Sequence, residues 1–367
     1  MAPGYSPPVA RGVSHVRFLF LGTGTSGGIP LVACDCAVCT SADPRDMRLR
    51  TGAAVQWVDP QGQARCVLID ATPDLRMQAL RHNLWRCDAI LFTHNHVDHI
   101  FGLDEVRRFN AVMRAPILIF AERYVLDALH RVYKHVFDRE ANINDSFVAT
   151  LIAHEAEPPE SHAARPIDLW GLRFTPVRLL HGRLPILGWR IDSGSTTEAR
   201  RHGEDGKGSR LPSTDASSLD GSMAGCLDAL PLAWCTDVSA IPPESWARLS
   251  GLRHLALDAL RHRKHPTHFS LDQAVAAAER IGAARTWFIH VAHELGHAAT
   301  DATLPEGVRL GYDGLVLGDP DDAPFRADAA RLASGLPHHP APRPEASVTP
   351  WPATAPAPGV RGAFEEQ

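Results

Sequence analysis

Apolar and polar positions alternate in short blocks along most of the chain, and the blocks read in turn as strands and helices. His15-Val-Arg-Phe-Leu-Phe-Leu21 predicts a first strand that runs into the turn Gly22-Thr-Gly-Thr-Ser-Gly-Gly28, where glycine's access to positive φ suits a tight reversal. Two more strands are predicted over Ala53–Val58 and Cys66–Asp70, joined by Asp59-Pro-Gln-Gly62, which has hairpin-turn chemistry. Thr72-Pro73 has the form of a helix start, with Thr at the N-cap and Pro at the first helical position, so a helix is predicted to about His82. A buried strand over Ala89–Phe92 follows, then a helix from Asp104, a strand Ile117–Phe120 and a helix Glu122–His135. Strands near Phe174, Ile186 and Leu232, a helix from Leu271 and a strand Thr286–Ile289 close the core. Strands interleaved with helices indicate an α/β fold.

Two stretches interrupt this rhythm. Residues 193–230 are rich in Gly, Ser, Thr and Asp and read as a flexible insertion, and residues 337–358 carry eight prolines among Ala and Thr. The expected organisation is a flexible N-terminus over 1–14, one domain over 15–318 and a disordered tail over 319–367, whose His338 and His339 are then poor ligands. With 44% hydrophobic and 22% charged residues, the 367-residue chain can bury a sizeable core. Its formal charge of -5 supplies no field for nucleic-acid phosphate or an anionic membrane, which favours a small-molecule substrate. No apolar stretch resembles a signal peptide or a membrane span, so a cytoplasmic location without membrane contact is expected, with a homodimer as the default assembly. The seven cysteines are an odd number, and Cys34, Cys36 and Cys39 crowd too closely for a secreted disulfide framework. They look like metal ligands.

The densest chemistry is His94-x-His96-x-Asp98-His99, which places three imidazoles and a carboxylate within six residues directly after a buried strand. Such donors suit Zn²⁺, Mn²⁺ or Fe²⁺, and four of them are enough to begin two metal sites. The glycine-rich turn is no phosphate-binding P-loop, because no Gly-Lys-Ser/Thr follows. A dinucleotide fingerprint fails too, since cysteines stand where its helix should open. His293-Glu294-Leu-Gly-His297 fits a zinc-protease pattern, but it follows a strand-like segment, lacks a third-ligand motif and leaves the upstream histidines unexplained. Glu294 and His297 are therefore expected to face solvent or to surround the site without ligating.

The histidine motif resembles the signature of the metallo-β-lactamase superfamily, and Asp70, His181 in Leu-Leu-His-Gly, Asp237 in Cys-Thr-Asp-Val-Ser and His290 continue that pattern in order over about residues 15–316. The resemblance implies a four-layer αββα sandwich. It assigns His94, His96 and His181 to one metal, Asp98, His99 and His290 to the other, and Asp237 to both, with Asp98 and Asp237 among the catalytic residues and Asp70 orienting a metal-binding histidine. Superfamily members that hydrolyse lactams tend to carry cysteine where this chain has Asp237. The aspartate points instead to the phosphodiesterases, whose two metals sit about 3.5–4 Å apart. Cys235 then reads as a small core residue.

Cys34, Cys36 and Cys39 are one ligand short of a closed structural zinc site, and His293, three residues after His290, is the candidate fourth. This arrangement is similar to that of the cyclic-phosphate phosphodiesterase family of the carbon–phosphorus lyase pathway. That family pairs a Cys₃His zinc with a dinuclear centre and opens 5-phosphoribosyl 1,2-cyclic phosphate. It also uses an extra histidine as catalytic acid, matched by His268 in Pro-Thr-His-Phe-Ser, while His262 and His265 read as exposed loop residues. The implied reaction is attack of a metal-bridging hydroxide on a small cyclic phosphodiester, with two active-site metals, Zn or Mn, and one structural Zn. A transfer-RNA 3′-processing endonuclease shares the Leu-Gly-Thr-Gly opening and carries an RNA-gripping arm where residues 193–230 fall. That stretch holds four Lys or Arg against six Asp or Glu, a poor grip on phosphates. A pyrroloquinoline-quinone-synthesis relative shares the glycine-rich start and cysteine cluster. A glyoxalase-type thioesterase also bridges its metals with aspartate, but it gives the cysteines no purpose.

Overall fold

A computed structural model describes residues 12–157, 160, 165–194 and 228–335. The first strand, β1 (Ser14–Gly22), turns Val16, Phe18 and Phe20 to one side and Leu19 and Leu21 to the other, and all five are buried. A strand apolar on both faces must lie between two layers. The same division recurs in β2 (Gly52–Val58) and β3 (Ala64–Ile69), where Val55, Trp57 and Val67 face one way and Ala54, Cys66 and Leu68 the other.

The remaining strands of the described residues are β4 (Ala89–Leu91), β5 (Ile117–Ala121), β6 (Leu151–Glu155), β7 (Ile167–Leu169), β8 (Leu172–His181), β9 (Leu184–Ser193), β10 (Leu232–Cys235), β11 (His254–Asp258), β12 (Arg285–Ile289), β13 (Val308–Leu310) and β14 (Val316–Gly318). They form two seven-stranded sheets in the orders β14-β1-β2-β3-β4-β5-β6 and β13-β12-β11-β10-β9-β8-β7. β3 to β6 run parallel, as do β10 to β13, and the other pairings are antiparallel. Phe18, Phe20, Trp57, Phe174, Trp189 and Trp234 fill the space between the sheets.

Helices cover both outer faces. α1 (Leu75–Arg81), the short α2 (Val97–Ile100), α3 (Arg107–Met113), α4 (Arg123–Val132) and α5 (Lys134–Phe137) accompany the first sheet, where Leu75, Phe109, Val125 and Leu129 pack on Leu68, Ile90 and Ile119. α6 (Leu271–Ile281) covers the second through Leu271, Ala274 and Ala278, which pack with Leu179, Ala233 and Leu255. The result is the αββα sandwich. At roughly 1.5–3 kcal/mol for each large apolar side chain taken from water, three such interfaces are the main source of its stability.

Several sequence expectations change. α1 starts at Leu75, because Thr72 Oγ1 accepts from Asp74 N (3.1 Å) and donates to Gln78 Oε1 (3.0 Å), closing a turn before the helix instead of capping it. The helix predicted from Asp104 opens as a 3₁₀ turn (Leu103–Val106) before α3, and the one predicted over 122–135 breaks at Tyr133 between α4 and α5. Only Gly28 in the glycine-rich turn has positive φ (63°). Gly22 and Gly24 are there for close approach: a Cβ on Gly22 would fall 2.0 Å from Arg50 O, and one on Gly24 3.0 Å from Arg48 O. The tail expected from 319 begins instead with the helix α8 (Ala323–Ser334), which buries Ala329 and Leu332 and ties Asp328 to Arg86 at 2.8 Å. The proline-rich stretch with His338 and His339, residues 1–11 and most of the 193–230 insertion lie outside the described residues. No helix among the described residues is long and apolar enough to cross a membrane.

Candidate active site

The carboxyl ends of parallel strands are where open α/β sheets place their ligands, and here they deliver one acidic or imidazole group after another. β3 leads into Asp70, β4 runs into Thr93–His99, β10 into Asp237, β11 ends at Asp258 and β12 leads to His290, while the antiparallel β8 ends at His181. Asp70, Asp237 and His290 have φ of 64°, 59° and 59°. For non-glycine residues this left-handed backbone costs about 1–2 kcal/mol, and it turns each side chain sharply off its strand.

Two donor clusters result. His94, His96 and His181 form one, and Asp98, His99, Asp237 and His290 the other, with the ligand atoms of each cluster within 4.8 Å of one another. Asp237 is equally close to His181 and His268, so its carboxylate adjoins both clusters. Hydrogen bonds behind the rings fix which nitrogen faces inward. Thr93 Oγ1 donates to Asp70 Oδ2 (2.9 Å) and so accepts from His94 Nδ1 (2.9 Å). His99 Nδ1 donates to Asp70 Oδ2 (2.7 Å), and His181 Nδ1 to the Thr267 carbonyl (2.7 Å). Each of these histidines is left with Nε2 as a lone-pair donor, the usual role of partners behind a metal ligand. Asp70 thus orients His99 directly and His94 through Thr93.

Nε2 of His94, His99 and His290 is buried without a hydrogen-bond partner. An orphaned buried polar atom costs about 1–3 kcal/mol, and such atoms in each of the two clusters are what bound cations would satisfy. Burial would raise Asp98 and Asp237, but the facing His99 and His290 hold both carboxylates below the ordinary range. Burial would likewise lower His290, yet Asp237 and Asp98 lift it to about 9. His94, enclosed and beside His99, is driven well below its usual value and stays neutral. This anionic, imidazole-rich pocket fits divalent metal ions. His96 is the exposed member of the first cluster, which marks the open side of the site.

The cysteine loop converges as well. Cys34, Cys36 and Cys39 place Sγ 3.2, 3.4 and 3.5 Å from His293 Nδ1. The Cys39 N–H donates to Cys36 Sγ (3.4 Å) and draws that thiol down to about 6, while burial pushes Cys39 up to about 11. Three thiols and an imidazole within 4.8 Å form a closed donor set of the structural-zinc type.

His268 adjoins both clusters, its ligand atom within 4.8 Å of those of His181 and Asp237 and also of those of Asp258 and His290. Its ring stacks on His290 with centroids 4.8 Å apart and lies 4.6 Å from His181. The loop holding it is anchored where Ser270 and Gln273 form a capping box at the start of α6. Sequence reasoning missed its partner. Asp258 accepts from Phe269 N at 3.0 Å, lies 3.2 Å from His268 Nδ1 and 3.5 Å from His290 Nδ1. The signal was present in Leu255-Ala-Leu-Asp258, an apolar run followed by aspartate just as β3 is followed by Asp70. His262 is exposed, and His265 is half-buried with its ring 5.1 Å from that of His268.

His297 corrects another expectation. It is buried, receives Arg48 Nη2 at 3.0 Å on Nδ1 and donates its backbone N–H to Asp46 Oδ1 at 2.7 Å, so it pins the N-terminal loop to α7 (His297–Asp301). Glu294 lies nearer the surface, 3.2 Å from Arg263.

Fold and donor set together define a class, the metal-dependent hydrolases built on two facing sheets, and the comparisons agree. The Beta-lactamase superfamily domain matches residues 65–200 and 224–291, and the chain belongs to that superfamily. A solved diphosphatase from the PhnP family is 36% identical with a TM-score of 0.65, over 83% of this chain and 97% of that one. An octanoyltransferase of Porphyromonas gingivalis is 32% identical over 82% of this chain and 51% of its own length. Coenzyme PQQ synthesis protein B of Methylobacterium nodulans is 32% identical over 36% of this chain and 48% of its own. The chain thus spans about half the length of the curated relatives it matches.

Proposed function

We propose that the chain is a phosphodiesterase that holds two divalent cations, zinc or manganese, and opens a small cyclic phosphate of the 5-phosphoribosyl 1,2-cyclic phosphate kind. The observation that carries this reading is the placement of His268, an imidazole backed by the Asp258 carboxylate with its ring against those of both His181 and His290. A departing sugar alkoxide needs a proton, and an imidazole held in place by a carboxylate is a group that can give one. When bound, the cations supply an acidified water and offset charge on the phosphoryl oxygens.

The chain's own residues do the positioning. His94, His96 and His181 would hold one ion and Asp98, His99 and His290 the other, with Asp237 common to both. Asp70 and the Thr267 carbonyl keep the rings turned inward. As the ester bond from phosphorus to the sugar oxygen breaks, His268 gives its proton to that oxygen. Asp258 faces Nδ1 of the ring and leaves Nε2 for the site. Cys34, Cys36, Cys39 and His293 would hold a structural zinc that fastens the N-terminal loop beside His290. The 36%-identical relative is called a diphosphatase, which also breaks bonds to phosphorus. The acidic balance of residues 193–230 favours a small substrate over transfer RNA.

The test is hydrolysis of bis(p-nitrophenyl) phosphate and of 5-phosphoribosyl 1,2-cyclic phosphate by metal-loaded protein. Asp237→Ala is expected to abolish turnover. His268→Ala and Asp258→Asn should keep their metal by elemental analysis while kcat falls about a hundredfold for the first and about tenfold for the second. A fully active His268→Ala protein would remove the acid role, and a metal-loaded wild type that cleaves neither ester would overturn the proposal.

A further inference from the structure

Two exposed cations that the catalytic reading does not use stand on segments that also carry site residues. Arg183 occupies the second position of the two-residue turn that joins β8 to β9, where His181 pairs with Leu184. Such a turn fixes its backbone relative to the metal-donor His181. Lys264 lies in the loop between β11 and α6, just before His265, whose ring is 5.1 Å from His268. The two segments touch. His181 Nδ1 donates to the Thr267 carbonyl at 2.7 Å, and Thr267 Cγ2 lies 2.8 Å from where a Cβ on Gly182 would stand.

Both side chains are exposed, and among the described residues neither pairs with a carboxylate. Their neighbours differ, because Glu294 lies 3.7 Å from Arg261 and 3.2 Å from Arg263. Loop 261–268 holds three Lys or Arg and no Asp or Glu, in a chain whose formal charge is -5. The positive rim is therefore a local feature beside the site, not a sample of a basic surface. His181, two positions before Arg183, has its ring 5.0 Å from that of the exposed His96.

We propose that Arg183 and Lys264 form an anion subsite that reads a second phosphate on the substrate, a terminal phosphomonoester remote from the ester being cleaved. The proposal rests on the phosphodiesterase reading and adds the residues that set its specificity. A guanidinium offers a planar fork to phosphate oxygens and an ammonium a compact charge, so the pair can offset a dianion from two directions. Binding energy from such a remote group fixes the scissile ester over the metal donors.

The test compares wild type with the double variant R183Q/K264Q, both metal-loaded. The first readout is the ratio of kcat/KM for 5-phosphoribosyl 1,2-cyclic phosphate to that for ribose 1,2-cyclic phosphate. This ratio is expected to fall about tenfold or more in the variant, mainly through KM, and R183K/K264R should recover most of it. An unchanged ratio overturns the subsite. The second readout, independent of turnover, is calorimetric binding of ribose 5-phosphate. Its affinity should drop about tenfold in R183Q/K264Q and weaken with added salt in the wild type. Equal affinity in the two proteins, or no binding by the wild type, also overturns it. If the wild type cleaves neither cyclic phosphate, the phosphodiesterase reading fails and calorimetry decides the subsite by itself.

Discussion

Asp70, Asp237 and His290 accept a left-handed backbone that most residues avoid, and each does so at the end of a strand. The surrounding hydrogen bonds hold them there, Asp70 through Thr93 N and Oγ1 and through His99. At this scale the candidate ligands were legible, because imidazoles and carboxylates packed as in His94–His99 have few other uses. Asp258 was not, since a single aspartate after an apolar run is common and only its distance from His268 gives it a role. His297 was misjudged for the same reason: the sequence shows its spacing from His293 but not the Arg48 guanidinium that meets it across 249 positions. Burial, with Arg48 alongside, pushes the His297 imidazole from 6.5 down to about 4. Between those values the folded chain binds fewer protons than the unfolded one, so the stability His297 contributes is complete above about pH 6.5 and is lost as pH falls toward 4. The Tm advantage of wild type over His297→Gln, measured at pH 7 and pH 5, is expected to shrink at the lower pH. A constant difference would mean that the imidazole does not titrate there.

At the scale of elements, strands buried on both faces were legible from their unbroken apolar character, and the helix bounds were not. Thr72 illustrates why, because its hydroxyl serves Asp74 N and Gln78 Oε1 in a turn, an arrangement the dipeptide Thr72-Pro73 does not distinguish from a cap. Likewise α8 is too weakly patterned to stand out beside a proline-rich stretch. It is held by its ion pair to Arg86 and by the burial of Leu332. The cysteine loop has almost no regular structure, and its position rests on the convergence of Cys34, Cys36 and Cys39 with His293 and on the Asp46 and Arg48 contacts to His297. Cys36→Ser should therefore lower the metal content from about three to about two per chain and the Tm by about 5 °C or more, read by elemental analysis and thermal unfolding. Unaltered metal content in that variant would refute a zinc held by the cysteines.

For the molecule as a whole, the two sheets meet through aromatic rings. Trp234 lies 5.5 Å from Phe18 and 5.6 Å from Phe20, centroid to centroid. Trp234→Ala would open a cavity between layers that rigid sheets cannot close, and a loss of about 3–5 kcal/mol is expected in urea unfolding. A loss under about 1 kcal/mol would show that the sheets can collapse onto the gap. The sandwich also explains how residues from Cys34 to His293 form one region. Strand ends from both sheets meet at one edge, where Leu187 N donates to Thr93 O at 3.0 Å and Val291 N to Thr23 O at 3.0 Å. The amino-acid sequence by itself determined the class of fold and pointed to the candidate metal donors, because burial on two faces and dense ligand spacing are local properties of the chain. Tertiary structure alone decided which nitrogen each histidine presents, that Asp258 stands behind His268, that His297 is buried and that the turn after His181 meets the loop at Thr267. Those relations depend on distances between segments far apart in the chain, and residue spacing carries no information about them.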